Sequence, residues 1–201
     1  MSKKYYAVRQ GKKIGVFDNW DEVKTYVNGF KGAEYKSFKT YEEAENFVKG
    51  EELSVFDLDK LDKDLVIAYV DGSYNINTKV FGYGIVLIHK DGEMKLNGAI
   101  DNEAYSDQRN VAGEIYGARE AINKAIDMGM SKIIIHFDYK GIKAWALGEW
   151  KANLDLTQNY QKFINEKKEL IDIEFVKVKA HSNDKYNDMA DQLAKEAVGI
   201  N

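Results

Sequence analysis

The sequence predicts an α/β protein with two parts: a mixed five-stranded sheet with flanking helices, and before it a small domain of the order ββαβα. Three observations predict this arrangement. After residue 64, apolar runs of strand length alternate with stretches of helical periodicity. The first fifty residues carry two helix-start signals between short β-rich runs. An acidic stretch at 51–63 separates the two regions.

The small domain is expected at residues 1–50. Residues 5–9 and 14–17 are β-rich runs around the turn residues 10–13, which indicates a hairpin. The sequence NWDE at 19–22 has the spacing of a helix start, 34–38 alternates like a strand, and TYEE at 40–43 opens a second helix.

The larger domain is expected at residues 64–201, after a linker at 51–63. Its first run, at 65–70, is apolar almost throughout, as in a central strand. The order βββαβααβα predicts three antiparallel strands followed by βαβ units. The expected strands are 65–70, 82–89, 94–100, 132–137 and 171–178, and the expected helices are 110–128, 141–147, 157–170 and 187–198.

Composition narrows the class of protein. Hydrophobic residues make up 44% of the 201 residues, enough for a packed core. The absence of cysteine excludes disulfides and thiolate metal sites. The N-terminus lacks an apolar leader and no run is long enough for a bilayer, so we expect a cytoplasmic protein with no membrane partner.

Charge is unevenly distributed. Residues 1–50 hold ten Lys and Arg against seven Asp and Glu, a balance of +3, whereas residues 64–201 hold 17 against 21, a balance of −4. A basic head on an acidic body is typical of a polyanion-binding module attached to a second domain. Chance is the alternative, because +3 is a small excess.

Four carboxylates occupy positions that a solvated surface would not require. Asp71 and Asp138 each directly follow a predicted buried strand, while Glu114 and Asp191 lie on or beside the apolar faces of predicted helices. Carboxylates that converge at one sheet edge cannot all stay ionised without partners, and hard oxygen ligands favour Mg²⁺ or Mn²⁺. Taken singly, each residue could instead be a turn, cap or solvated-edge residue.

Of the three histidines, His181 lies in a polar loop between a predicted strand and the last helix. A loop histidine is either an exposed residue without a catalytic role or a residue that transfers protons. His89, at a hairpin, and His136, within a buried strand, are interpreted as structural.

Four segments around these carboxylates resemble the catalytic signatures of ribonuclease H type 1, in chain order. They are YVDGSY at 69–74, GEI at 113–115, HFD at 136–138 and ADQLA at 190–194. His181 stands ten residues before Asp191, as the family's loop histidine does. The resemblance covers residues 64–201, and the predicted element order also agrees with that fold.

The resemblance implies hydrolysis of the RNA strand of RNA–DNA hybrids with two Mg²⁺ ions, or Mn²⁺ in their place, leaving 5′-phosphate and 3′-hydroxyl ends. Asp71 is expected to bridge the ions, Glu114 and Asp138 to complete the shell of one, and Asp191 that of the other. His181 is expected to aid proton transfer or product release. No obligatory protein partner is implied.

The head, YYAVRQGKKIGVF at 5–17, resembles the RNA–DNA hybrid-binding domain related to the viroplasmin module. Its binding aromatics would fall on Trp20 and Tyr35, with Lys36 beside them. An aromatic face can stack on sugars of the DNA strand while lysine contacts phosphates. The alternative is that both aromatics belong to the core of a small domain.

Selection of RNA requires contacts to 2′-hydroxyl groups. The candidates are Gly72, Ser73 and Asn75 after the first strand, and Asn110 before Glu114; Asn110 could instead be a helix cap. Two other classes of protein stay open: a non-catalytic protein that binds hybrids or double-stranded RNA, and a metal-dependent DNA nuclease of the same fold.

Two departures from the family pattern stand out. Asp138 is followed by Tyr139 and Lys140, where many relatives have Ser-Gln, so the contacts made there are in question. The stretch between 144 and 156 holds a single lysine, Lys151, and the basic protrusion of some relatives is expected to be absent.

Overall fold

The structure, a computed structural model, describes residues 4–49, 58–178 and 184–200. It divides into two compact units, Met1–Asp57 and Leu58–Asn201. The division falls inside the predicted linker, of which residues 51–57 lie outside the described residues. Residues Leu58–Lys60 form a short 3₁₀ turn at the start of the second unit.

The N-terminal unit has the predicted ββαβα order. Its elements are β1 (Tyr5–Gln10), β2 (Gly15–Phe17), α1 (Trp20–Val27), β3 (Glu34–Phe38) and α2 (Tyr41–Lys49). The sheet order is β2-β1-β3, with β1 antiparallel to both neighbours. Asn19 caps α1, because its Oδ1 accepts a hydrogen bond from the backbone N–H of Asp21 at 2.8 Å. Val8, Val23 and Val27 form a small core beneath this helix.

The C-terminal unit contains the predicted mixed sheet. Its strands are β4 (Leu65–Asn75), β5 (Val80–His89), β6 (Gly92–Ile100), β7 (Lys132–Phe137) and β8 (Asp172–Lys177), in the spatial order β6-β5-β4-β7-β8. Strands β4, β5 and β6 pair antiparallel, while β7 pairs parallel to both β4 and β8.

Among the described residues, five α-helices pack with this sheet, and one of them was not predicted. They are α3 (Glu103–Ser106), α4 (Arg109–Asp127), α5 (Gly141–Ala146), α6 (Asp155–Lys167) and α7 (Lys185–Ala197). The unpredicted helix α3 is a single turn whose N-cap is Asn102. None of the helices in the described part of the chain is both long and apolar enough to cross a membrane.

The two faces of the sheet are covered differently. The main core lies on the face that carries Val66, Ala68 and Val70, against the apolar side of α4. Helix α7 packs on β4, β5 and β6. Because successive strand residues point to opposite faces, Asp71 lies on the side away from Val70.

Candidate metal centre

Asp71 lies within its strand rather than after it. The expected strand ended at Val70, but β4 continues to Asn75 through its antiparallel pairing with β5. The parallel pairing of β4 with β7 ends at Tyr69 and His136. Asp71 therefore stands just beyond the point where β7 stops pairing, and that side of β4 is open.

Three carboxylates meet at this opening. Asp71, Glu114 and Asp138 each offer an oxygen, and these oxygens lie within 4.8 Å of one another. Asp138 directly follows β7, and Glu114 reaches the same place from α4. Glu114 is 1% exposed, and its Oε2 has no hydrogen-bond partner among the described residues. The site combines one fully buried carboxylate with two partly buried ones.

Close backbone packing positions Glu114. A Cβ on Gly72 would lie 2.1 Å from the carbonyl oxygen of Asn110 and 2.4 Å from the backbone nitrogen of Glu114. A Cβ on Gly113 would lie 2.1 Å from the carbonyl oxygen of Gly82. Only glycines allow α4 to approach the strands this closely, so they place Glu114 beside Asp71.

Burial and neighbouring charges raise the pKa values of Asp71 and Glu114. Burial raises the pKa of Asp71 to about 7, and the charges of Asp138 and Asp191 contribute, against a hydrogen bond from the backbone N–H of Gly72. Burial likewise holds the pKa of Glu114 well above its usual range, with Asp71 and Asp138 adding to it. A backbone hydrogen bond at Tyr139 opposes this effect on Glu114. Without a cation, the cluster is therefore electrostatically unfavourable above neutral pH.

This donor set fits a hard divalent cation. The three residues supply only carboxylate oxygens, which Mg²⁺ and Mn²⁺ prefer. The buried oxygen of Glu114 lacks a partner in the described part of the chain, and a bound cation would satisfy it. A cation would also offset the repulsion that raises the pKa of Asp71.

Asp191 stands apart from the other three carboxylates. Its Oδ2 forms an ion pair of 2.6 Å with the Nζ of Lys195, one helical turn along α7. The hydrogen bond from Lys195 to Asp191 raises the pKa of that lysine, and the charge of Asp71 adds to the effect. Asp191 and Lys195 thus lie within electrostatic range of Asp71, and the lysine supplies a positive charge at the edge of the site.

Two of the three histidines, His89 and His136, are among the described residues. His181, the predicted proton carrier, lies outside the described residues. His136 packs its ring on Tyr69, with centroids 4.4 Å apart, and burial lowers its pKa. His89 ends β5, and its Nδ1 accepts a hydrogen bond from the backbone N–H of Asp91 at 3.3 Å. The environments of His89 and His136 agree with the structural role expected of them.

The four expected 2′-hydroxyl contacts differ in accessibility. Asn110 is exposed and is the second residue of α4, so it is not the helix cap, a position held by Gln108. Ser73 is 8% exposed. The Nδ2 of Asn75 donates to the carbonyl of Val198 at 2.9 Å, and its Oδ1 accepts from turn backbone N–H groups. The side chain of Asn75 would have to break these bonds to reach a substrate.

The expected binding aromatics of the N-terminal unit form one patch. Trp20 lies between Tyr6 and Tyr35, with ring centroids 5.4 and 5.7 Å apart, and it is 36% exposed. Tyr35 is 47% exposed. The ammonium of Lys36 lies over the ring of Phe38, 5.9 Å from its centroid. Because successive strand residues point to opposite faces, the side chain of Lys36 lies on the face of β3 opposite to Tyr35.

Sequence reasoning missed residues at the carboxylate site and, separately, one residue of the aromatic patch in the N-terminal unit. Lys195 follows Asp191 by four positions on a helix, a spacing that predicts an ion pair. Tyr6 joins Trp20 and Tyr35 in the patch. The hydrogen bond from the backbone of Tyr139 to Glu114 has no signal in the sequence, since it depends on where β7 ends.

A mixed sheet of order β6-β5-β4-β7-β8, with carboxylates clustered beside its central strand, defines the class of ribonuclease H-like folds. Comparison with known families agrees: residues 62–199 match the family model described as RNase H, and residues 4–48 match the Ribonuclease H1 N-terminal domain. The chain belongs to the ribonuclease H family and is a ribonuclease H enzyme.

The curated relatives match either nearly the whole chain or one part of it. Ribonuclease H1 of Mus musculus is 28% identical over 254 residues, covering 96% of this chain and 88% of its own. Ribonuclease H of Ruthia magnifica is 33% identical over 144 residues, covering 66% of this chain and 94% of its own. Ribonuclease H of Saccharomyces cerevisiae matches 44 residues at 46% identity, which is 22% of this chain and 13% of the relative.

Solved structures support the fold assignment. RNase H1 from Halobacterium salinarum superposes with a TM-score of 0.57 at 24% identity, covering 67% of this chain and 98% of its own. LC11-RNase H1 in complex with RNA/DNA hybrid superposes with a TM-score of 0.53 at 17% identity, covering 66% of this chain and 99% of its own. At these identities the similarity establishes the fold.

Proposed function

We propose that the protein is an endoribonuclease that hydrolyses the RNA strand of RNA–DNA hybrids with two Mg²⁺ ions, leaving 5′-phosphate and 3′-hydroxyl ends. The observation that carries this proposal is the carboxylate cluster of Asp71, Glu114 and Asp138 within 4.8 Å. A complex of RNA/DNA hybrid with a protein of the same fold supports the substrate class. Mn²⁺ is the expected alternative ion.

The chain's own residues would hold the ions. Asp71 is proposed to contribute to both positions, Glu114 and Asp138 to one, and Asp191 to the other. The ions would supply an activated water and stabilise the leaving oxygen. Asp191 would have to release Lys195, with which it pairs at 2.6 Å, before it could act as a ligand.

The proposed proton carrier is His181, from the loop before α7. Histidine is the side chain that most readily takes up and releases a proton near neutral pH. The carboxylates of the cluster are poor proton carriers when they hold cations, because a ligand must stay ionised. A separate residue is therefore needed to protonate the leaving group or to assist product release.

Selection of RNA is proposed to rest on the backbone around Gly72 and on the side chains of Asn110, Ser73 and Asn75. Asn110 is the most accessible of these side chains and lies one turn before Glu114. Hydrogen bonds to 2′-hydroxyl groups distinguish RNA from DNA without reading bases. We therefore expect weak sequence preference.

The N-terminal unit is proposed to be a second grip on the hybrid. Trp20 and Tyr35 present exposed ring surface in one patch, and aromatic faces can stack on nucleic-acid sugars or bases. Lys36, on the edge strand β3, is proposed to contact phosphate. The positive balance of residues 1–50 supports this role, since the larger domain has a balance of −4.

The test compares Asp138→Asn with wild type on labelled RNA–DNA, RNA–RNA and DNA–DNA duplexes. We expect the variant to lose cleavage in Mg²⁺ and to bind hybrid normally in Ca²⁺, because the substitution changes ligation and scarcely changes shape. The matched control is Asp172→Asn, an exposed acid on β8 that pairs with Lys132, and it should cleave like wild type.

The outcomes separate the three classes of protein. If Asp138→Asn keeps more than about a tenth of the wild-type rate, equivalent to a loss under about 1.4 kcal/mol in the barrier, the assigned role is wrong. Binding by wild type without cleavage would indicate a non-catalytic hybrid-binding protein. Preferential cleavage of DNA–DNA would indicate a DNA nuclease.

A further inference from the structure

Helix α7 lies over a row of residues that crosses three strands. Asp71 on β4 is in register with Gly84 on β5, and Gly84 is in register with Asn97 on β6. Residues in register on neighbouring strands point to the same face of a sheet. The row therefore places a metal-site carboxylate at one end, a glycine in the middle and an amide at the other end.

Helix α7 packs its backbone closely against Gly84. A Cβ on Gly84 would lie 2.1 Å from the carbonyl oxygen of Ala190 and 2.6 Å from the backbone nitrogen of Ala194. These two alanines are fully buried and flank Asp191 in the helix. The helix backbone thus rests on the residue directly opposite Asp71, with Asp191 in electrostatic range of it.

Asn97, on strand β6, forms a hydrogen bond with the backbone of α7. Its Nδ2 donates a hydrogen bond of 3.3 Å to the carbonyl oxygen of Leu193, in the turn that begins with Asp191. Nearer the start of α7, the hydroxyl of Tyr186 donates to Glu93, which is also on β6. The edge strand β6 therefore anchors α7 at two places, of which Asn97 is the one nearer to Asp191.

We infer that Gly84 and Asn97 are positioning residues that set the separation between Asp71 and Asp191, and thereby the affinity of the second cation position. Gly84 fixes the height of α7 above the sheet, because any side chain there would collide with helix backbone. Asn97 fixes its sideways position relative to β4. The inference rests on the proposed function, since it takes Asp191 as a ligand.

The first experiment uses Asn97→Ala in the full chain, with Lys95→Ala as its matched control. Lys95 lies two residues away on the same strand and the same face, in register with Val86 rather than Gly84. We expect Asn97→Ala to raise the Mg²⁺ concentration for half-maximal cleavage about 3- to 10-fold, the range that one lost hydrogen bond can produce. The KM for hybrid should stay within about twofold, because the inferred role of Asn97 acts through the position of α7 and involves no contact with substrate.

Calorimetric titration of the protein with Mg²⁺ alone provides a readout that does not depend on turnover. Asn97→Ala should weaken Mg²⁺ binding in the wild-type background and leave it unchanged in an Asp191→Asn background, because residues that act through one another are not additive. Gly84→Ala, judged folded by circular dichroism, should lower kcat about 100-fold through the displacement of α7.

The results that would overturn the inference are distinct from those that would overturn the proposed function. If wild type cleaves hybrid in Mg²⁺ but Asn97→Ala and Lys95→Ala share one Mg²⁺ dependence, Asn97 is not a positioning residue. Equal effects of Asn97→Ala with and without Asp191 would show that it acts elsewhere. If wild type itself neither cleaves hybrid nor binds Mg²⁺, the proposed function is wrong, and the inference that rests on it is wrong as well. Should Gly84→Ala not fold, the Asn97 results decide the matter.

Discussion

Replacing Asp71 by asparagine should make the metal-free protein more stable while it abolishes cleavage. Asparagine keeps the oxygen that accepts the 2.7 Å hydrogen bond from the backbone N–H of Gly72 and removes only the charge. Because that charge lies close to Glu114 and Asp138, its removal relieves repulsion that the folded state otherwise sustains in the absence of cations.

The size of the effect follows from the pKa of Asp71. Its ordinary value of 3.8 rises to about 7 in the folded chain, which corresponds to about 4 kcal/mol at about 1.36 kcal/mol per tenfold change in proton affinity. Since solvent screens part of this carboxylate, we expect a gain of about 2–4 kcal/mol for Asp71→Asn at pH 8. A raised folded-state pKa stabilises fully below about pH 4 and loses that contribution as the pH rises through 7.

The assay is urea unfolding of wild type and Asp71→Asn in EDTA at pH 5 and pH 8. The difference in the free energy of unfolding should already be present at pH 5, where the unfolded aspartate is ionised, and should be less than half of its size at pH 8. Asp191→Asn is the contrasting variant: its carboxylate pairs with Lys195 and is 41% exposed, so its removal should cost between zero and about 1 kcal/mol. Added Mg²⁺ should stabilise wild type far more than Asp71→Asn.

Equal stability of wild type and Asp71→Asn at pH 8 in EDTA would refute this reasoning. It would mean that the cluster carries no unfavourable charge when folded. A gain of the same size at pH 5 would also refute it, because at pH 5 the folded aspartate is protonated and only the cost of protonating it remains to be relieved.

Four further predictions follow from the site and the N-terminal unit. Removal of residues 1–57 should raise the KM on long hybrids more than on short ones. It should also flatten the salt dependence of binding, because fewer phosphates are contacted. Equal KM values and equal salt slopes would contradict hybrid binding by the N-terminal unit. In the full chain, Trp20→Ala should cost about 1–3 kcal/mol in hybrid binding, whereas Tyr41→Ala, an exposed aromatic outside the patch, should leave binding unchanged. His181→Ala should slow turnover about 10- to 100-fold, and complete inactivity of a folded variant would place His181 among the ligands instead. Mg²⁺ binding should release protons near pH 7, where Asp71 titrates, and calorimetry in buffers of different ionisation enthalpy measures this release.

The sequence predicted the order of the elements along the chain and a mixed sheet, because its apolar runs have a clear period. Strands such as Lys132–Phe137 are short, apolar and bounded by turn residues, and the structure has a strand there. The antiparallel extension of β4 beyond Val70 was not predicted, because residues 71–75 are mostly polar or glycine. What makes them a strand is pairing with β5, an interaction between distant residues.

The sequence predicted which residues form the candidate metal centre better than it predicted their positions relative to one another. Spacing and order indicated four carboxylates, and three of them meet within 4.8 Å. The four-residue spacing of Asp191 and Lys195 favours an ion pair, but the separation of Asp191 from the other three carboxylates depends on how α7 packs on the sheet, which this spacing does not fix. Asn75 is similar: its position after the strand suggested substrate contact, but the end of α7 occupies its amide.

The carboxylates of the proposed site come from separate elements that follow one another along the chain, from β4 at residue 71 to α7 at residue 191. During synthesis, domains fold in order from the N-terminus, so the aromatic patch of residues 6–35 is complete while the last helix is still to be made. Of the described residues, those of the main core cluster all lie outside α7. A local opening of this last helix would therefore withdraw Asp191 and leave that core cluster intact. In the proposed function, the residues that would hold nucleic acid are therefore synthesised before the helix that carries Asp191, and an opening of that helix would remove a proposed metal ligand without disturbing them.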